Sequence, residues 1–220
     1  MTARISFDAE LRLLKEDLFE MAHLIEVAIE KIMLAFENQD EKLAQEIIQG
    51  DRIINDIEKA IEARCLSLII KQQPVASDLR FVTTALKVVT DMERIGDHAA
   101  DIAELILREK REQIYELTQH IPEMGLATKK MVHASVDAFT TLNIERAREI
   151  IKQDDIVDDL FDKVKMEVAN ILKQSSNQVD QCVDILMIAK YFERIGDHCV
   201  NICEWTEFRE TGTLNNIRLL

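Results

Sequence analysis

The chain has 220 residues, 47% of them hydrophobic, but only five glycines, two prolines and 5% aromatic residues. So small a supply of turns excludes a many-stranded sheet and leaves an all-α fold, long enough for one large or two small domains with real cores. Forty-one acidic against twenty-seven basic residues give a formal net charge of −14, which disfavours nucleic acid and anionic membranes as primary partners and favours cations or basic protein faces.

The first eight residues lack a basic stretch followed by an apolar core, and no apolar run approaches the ~20 residues needed to span a bilayer. A cytoplasmic protein with no membrane insertion is expected. Helix 1 carries Leu11, Leu14, Leu18, Met21, Ile25, Ala28, Ile32 and Ala35 in alternating steps of three and four, a sustained heptad stripe. Asn38-Gln39-Asp40 ends it and can cap helix 2, which runs to about Lys71 with Ile47, Ile54, Ile57, Ile61 and Leu68 inward. Pro74 breaks the chain.

Ser77 or Asp78 can cap helix 3, whose inner face holds Val82, Ala85, Val89, Met92, Ala99, Ile102 and Ile106 and whose last turn is basic at Arg108, Lys110 and Arg111. A polar linker ending near Pro122 leads to helices over about 123–142, 145–174 and 178–209, and the tail from Thr211-Gly212-Thr213 onward is expected to be loose. Three long helices per half, joined by short turns, predict two tandem antiparallel three-helix bundles, residues 1–115 and 116–220.

An internal repeat relates the halves. Ala35-Phe36 recurs as Ala138-Phe139, Glu46-Ile47-Ile48 as Glu149-Ile150-Ile151, and Glu-Arg-Ile-Gly-Asp-His at Glu93 to His98 recurs at Glu193 to His198. Between these points the second half is three residues shorter, and the loss falls where Lys71 to Arg80 faces the shorter run Lys173 to Asn177.

The repeated hexapeptide opens an acidic stripe. Glu93, Asp97 and Asp101 recur every four positions, as do Glu193, Asp197 and Asn201. A step of four turns a helix by only about 40°, so each trio lines one edge, and a multivalent cation there would turn mutual repulsion into attraction. Helix 2 has a matching stripe at Asp51, Asn55 and Glu58, and helix 5 one at Asp154 and Asp158, with Asp155 and Asp159 beside it.

Antiparallel helices about Pro74 put Asp51 level with Asp97 and Asn55 level with Glu93. A pivot at Ser175-Ser176 puts Asp154 level with Asp197 and Asp158 level with Glu193. The pairing fixes height; helix rotation decides whether the stripes face. Oxygen ligands beside His98 and His198 suit hard ions such as Mg²⁺, Ca²⁺, Mn²⁺ or oxidised iron. The competing reading is a solvated face with Arg94 and Arg194 as counter-charges.

Gly96 and Gly196 each cost up to ~1 kcal/mol in a helix interior, and their recurrence implies close approach of another helix or of a ligand. Cys65, Cys182, Cys199 and Cys203 form no Cys-x-x-Cys pair, and in the cytoplasm they stay reduced; Cys199 and Cys203, one turn apart, are either core residues or ligands of a soft metal.

In these residues the chain resembles the PhoU family, over nearly its whole length. Glu93/Asp97, Asp97/Asp101 and Glu193/Asp197 match the family's Glu(Asp)-x-x-x-Asp motif, and Gln73 to Arg80 looks like its inter-helix turn. The resemblance implies two three-helix bundles with metal clusters on these motifs, of iron, manganese, magnesium or zinc. It also implies a cytosolic negative regulator of the phosphate regulon and of phosphate uptake, linking the sensor kinase PhoR to the Pst transporter ATPase PstB. The expected ligands are Asp51, Asn55, Glu93, Asp97 and Asp101 in the first half and Asp154, Asp158, Glu193, Asp197 and Asn201 in the second. The two asparagines, Asn55 and Asn201, depart from the acidic pattern: each can ligate through its carbonyl oxygen but brings no charge.

No catalytic machinery is visible: the five histidines pair with no Ser or Cys motif, and no Gly-rich loop holds a nucleotide. A ferritin-type di-metal oxidase needs two Glu-x-x-His strings, and only Glu20-Met21-Ala22-His23 exists. A non-enzymatic adaptor is expected, with a helical scaffold lacking functional metal as the alternative. Exposed stripes on long helices favour self-association as a homodimer.

Overall fold

The computed structural model describes residues 2–108, 118–174, 178–214 and 217–218. Six helices follow one another: α1 (Thr2–Asn38), α2 (Glu41–Gln72), α3 (Ala76–Arg108), α4 (His120–Thr141), α5 (Ile144–Gln174) and α6 (Val179–Thr211). Helices α1 to α3 form one bundle and α4 to α6 the other. The expected division at residue 115 and the pivot at Ser175-Ser176 lie outside the described residues, as do Lys110 and Arg111.

The heptad stripe of α1 is the core of its bundle: Leu14, Leu18, Met21, Ile25, Ile32 and Ala35 are buried, with Leu11 and Ala28 partly so. Helix α3 buries more than the single face read from its sequence. Phe81, Val88, Ile95 and Ala103 join the seven expected residues, because α3 packs on α1 and α2 with one side and on α6 with the other. Arg80 meets Arg209, Asp91 meets His198 and His98 meets Tyr191, so α3 and α6 run antiparallel along a seam that, with the α1 to α4 contact, fuses both bundles into one core.

The repeat is exact enough to reproduce the turns. Gln39 and Leu142 both adopt left-handed backbone at φ 52 and 59. The next amide returns to the preceding helix, Asp40 N to Ala35 O and Asn143 N to Ala138 O. The same residue then caps the following helix: Asp40 Oδ1 accepts from Leu43 N and Asn143 Oδ1 from Arg146 N, each at 3.0 Å. Glycine usually takes the left-handed position, and the side chains here cost about 1–2 kcal/mol each.

Three boundaries differ from the sequence reading. Helix α3 begins at Ala76, so Ser77 and Asp78 lie inside its first turn instead of capping it. Helix α4 begins at His120, and Pro122 sits within the first turn, where a missing N–H leaves nothing unsatisfied. The tail is ordered at its start: Gly212, at φ 70, ends α6, and Thr213–Leu214 pairs antiparallel with Ile217–Arg218 as β1 and β2.

Candidate metal centres

The acid stripes of α2 and α3 do face each other. Burial, then the charge of Asp97, lifts the Asp51 carboxyl above its usual range; Asp101 adds to this and a hydrogen bond from Asn55 opposes it. Glu93 is raised by burial and by Asp97, Glu58 and Asp51, with Arg94 opposing, and Glu58 is raised by burial, Glu62 and Asp97 against Lys59 and Arg94. Asn55 Nδ2 donates to Asp51 Oδ2 at 2.9 Å. Asp51 Oδ1 and Asn55 Oδ1 are buried without a hydrogen-bond partner.

The second half repeats the arrangement on α5 and α6. Burial, then Asp158, Asp197, Glu193 and Asp155 in that order, pushes the Asp154 carboxyl up to about 7. Asp158 is raised by burial, Glu193, Asp197 and Asp155 against Lys190. Asp154 Oδ1 and Glu193 Oε2 are buried without a hydrogen-bond partner at this stripe, as are Glu167 Oε2 and Gln181 Oε1 elsewhere on the same two helices. An unmade hydrogen bond to a buried oxygen costs about 1–3 kcal/mol, and a cation would satisfy it.

The repeated glycines make room for these oxygens. A Cβ on Gly96 would stand 3.0 Å from Ile54 Cγ2 and 3.5 Å from Asp51 Oδ1, and one on Gly196 would stand 2.5 Å from Asp154 Oδ1. Close helix packing and close carboxylate approach are thus one feature in the first half, and the carboxylate dominates in the second.

Basic residues already border both stripes. Arg94 reaches Glu93 at 3.4 Å and Asp97 at 2.9 Å; Lys190 reaches Glu193 at 2.5 Å; Arg194 reaches Asp197 at 3.4 Å. Among the described residues no three His, Cys, Asp or Glu side chains converge closely enough to chelate an ion as they stand. The donor set fits a hard cation in chemistry and in its orphaned oxygens, while Arg94 and Lys190 already engage other oxygens of the stripes, on Glu93, Asp97 and Glu193.

Asn201 belongs elsewhere. Its Nδ2 donates to Asp91 Oδ1 at 3.0 Å, beside His198 Nδ1 at 2.9 Å from the same oxygen, so its side chain is tied across the seam to α3. Asp101 sits at the margin, 3.4 Å from His98 Nδ1 while still acting on Asp51. The rings of His98 and His198 lie 5.6 Å apart, and Tyr191 stacks on His98 at 5.3 Å. The sequence reading passed over Asp91 and Tyr191; their places two helical turns before His98 and His198 are the signal that marked them.

Two rival readings lose their support. Glu20 and His23 are exposed and the Met21 between them is buried, so the lone Glu-x-x-His string points away from the bundle interior. Cys199 and Cys203 are fully buried, and burial pushes the Cys203 thiol up to about 12 and Cys199 well above its usual value. Both are core residues.

The sequence model of the PhoU domain matches residues 18–106 and again 121–206. The chain belongs to the PhoU family. Both copies of the hexapeptide and both acid stripes fall within the matched PhoU segments. The phosphate-specific transport system accessory protein PhoU homolog of Clostridium acetobutylicum is 42% identical over 213 residues, covering 96% of this chain and 97% of that protein. The phosphate-specific transport system accessory protein PhoU of Escherichia coli is 34% identical over 94% of this chain and 86% of its own. The crystal structure of the phosphate transport system regulatory protein PhoU from Streptococcus pneumoniae superposes with a TM-score of 0.87 at 31% identity, covering 94% of this chain and 98% of that one.

Proposed function

We propose that this PhoU-family chain is a non-enzymatic accessory regulator of phosphate transport. It acts in the cytoplasm as a homodimer that restrains the phosphate regulon and phosphate uptake, and it links the sensor kinase PhoR to the transporter ATPase PstB. Family membership over nearly the whole chain supports the transport role. No helix among the described residues is long and apolar enough to cross a membrane.

Metal binding at the two acid stripes is the physical part of this proposal. The observation that carries it is the two buried, partnerless oxygens at each stripe, Asp51 Oδ1 with Asn55 Oδ1 and Asp154 Oδ1 with Glu193 Oε2, with a glycine opposite Asp51 and opposite Asp154. Asp51, Asn55, Glu93 and Asp97 would hold the first ion, and Asp154, Asp158, Glu193 and Asp197 the second. A bound ion would neutralise carboxylates on two helices at once and fix the α2 to α3 and α5 to α6 contacts.

Protein stripped with chelator and then offered Mn²⁺, Mg²⁺, Zn²⁺ and iron should bind at least one well above background. Glu93→Ala with Asp97→Ala should remove the first-half site alone. The salt bridges of Arg94, Lys190 and Arg194 favour the scaffold reading instead, and absence of binding by the stripped protein would decide for it. Recovery of neither kinase nor ATPase in a pull-down from phosphate-replete cells would defeat the adaptor role.

A further inference from the structure

At one end of the seam the charge pattern reverses. A cavity of about 490 Å³ lies between the start of α1, the start of α3, Leu142 in the α4–α5 turn and the end of α6. Arg12, Lys15, Arg80 and Arg209 line it, in a chain whose net charge is −14. Asp8, Asp78 and Glu210 also border it, Asp8 and Glu210 on exposed positions.

The cations are held on an aromatic floor. Arg209 lies over Phe81 at 4.3 Å and near Phe139 at 5.6 Å, and its Nη1 donates to Phe139 O at 2.5 Å. Lys15 Nζ sits 5.6 Å from the same Phe81 ring, and Arg80 Nε donates to Arg209 O at 2.8 Å. Among the described residues these three make no salt bridge; Arg80 and Arg209 donate only to main-chain carbonyls. Among the described residues nothing further pairs with their remaining N–H groups or with the Lys15 ammonium, and all three residues line the cavity.

Burial makes this costly. It lowers Arg209 to about 10, with only Glu210 opposing, and it lowers Lys15 together with the charge of Arg209. An anion in the cavity would reverse both effects. A single carboxylate brings one charge and two oxygens, whereas a phosphoryl group brings nearly two charges and three acceptor oxygens, a better match for two guanidinium forks and an ammonium. The N-terminal turn of the 33-residue α3, with Ser77 in the cavity wall, adds partial positive charge. The volume exceeds one phosphate and falls within the range of small-metabolite sites.

We propose that this pocket binds a phosphoryl group, as inorganic phosphate or as the phosphate end of a small metabolite. Because Lys15 and Arg80 come from the first bundle and Arg209 from the second, the bound group ties the two bundles together. The proposal is independent of metal at the acid stripes.

Calorimetric titration of chelator-treated full-length protein at low ionic strength tests it, with inorganic phosphate in one arm and adenosine mono- and triphosphate in the other. Saturable binding in either arm is expected, weakening as salt rises. Lys15→Gln and Arg80→Gln should each weaken it about tenfold or more, since a charge-assisted hydrogen bond is lost. Among the described residues Lys15 makes only a ring contact, so Lys15→Gln should keep the melting temperature and serves as the control for folding. Binding in the phosphate arm assigns free phosphate, and binding only in the nucleotide arm assigns a phosphorylated metabolite. No heat in either arm at millimolar ligand, unchanged affinity in both variants, or binding that returns only when metal is restored would each overturn the proposal, the last by placing the anion on the acid stripes.

Discussion

Asp154 Oδ1 stands 2.5 Å from the point that a Cβ on Gly196 would occupy. The carboxylate fills the gap left by a missing methyl group, and the oxygen has no hydrogen-bond partner there. Gly196→Ala therefore evicts the Asp154 carboxylate and meets the core residue Val157 only at an ordinary van der Waals distance, 3.7 Å. The helix gains up to ~1 kcal/mol in propensity, so the metal-free protein should melt at the same temperature or higher while metal binding at the second site falls. Loss of fold in circular dichroism, or undiminished metal uptake, would show that Asp154 is not held against α6. Gly96→Ala should act more weakly, because the nearest atom is Ile54 Cγ2 at 3.0 Å and Asp51 Oδ1 is 3.5 Å away.

The Asp154 carboxyl, raised to about 7 by burial and by its acidic neighbours, makes stability depend on pH. A raised folded-state pKa means that the native state binds the proton more tightly than the unfolded chain. Its destabilising contribution is absent below about pH 4, grows as the pH climbs toward 7, and is complete above that. Asp154→Asn should remove this slope and raise metal-free stability at pH 8 by about 1–2 kcal/mol, discounted for partial solvent screening. Chemical denaturation at pH 5 and pH 8 reads both effects; equal ΔΔG at the two pH values would refute the assignment. In wild-type protein, protons and metal compete for this carboxylate, so affinity at the second site should drop between pH 8 and pH 6.

The repeat and its shortened turn are legible in the sequence, and so is the level at which acids on neighbouring helices meet, because antiparallel pairing follows from chain order. Rotation is not legible to the same degree: the spacing of Asn201 places it in line with Glu193 and Asp197, yet its amide faces Asp91 across the seam. The seam itself is hidden because Phe81 reads as an ordinary apolar residue, and nothing in its spacing announces that it packs on Phe139 and Arg209 of the second bundle. The left-handed turns at Gln39, Gln73 and Leu142 carry no glycine to announce them. The basic pocket is invisible for a different reason, since its cations come from three helices far apart in the chain.

Arg94 is the counter-charge of the first stripe, 2.9 Å from Asp97 and 3.4 Å from Glu93, with its side chain 55% exposed. An exposed ion pair of this kind contributes about 0.2–1 kcal/mol. Arg94→Gln should lower metal-free stability by no more than that and tighten metal binding at the first site several-fold, because a competing cation is gone. Lys190→Gln should do the same at the second site, where Lys190 holds Glu193 Oε1. Weaker metal binding in either variant, measured by competition against a chromophoric chelator, would show that the basic residue helps to organise the ligands.

Asp91 tests the seam. Its Oδ1 accepts from His198 Nδ1 at 2.9 Å and from Asn201 Nδ2 at 3.0 Å, and its side chain is only 14% exposed. The repeat puts Tyr191 at the corresponding place in the second half, where it stacks on His98 instead of accepting hydrogen bonds. Each half thus contributes a different device to one contact between α3 and α6. Asp91→Ala leaves two half-buried donors without a partner and should cost about 1–3 kcal/mol. Tyr191→Leu keeps most of the packing and should cost less. Both losses should appear as earlier exchange of amides in α3 and α6, with α2 and α5 affected less, because the broken contact lies between the bundles. Uniform loss of protection across all helices would mean that the two bundles unfold as a single unit, and that the seam is as firm as either bundle's interior.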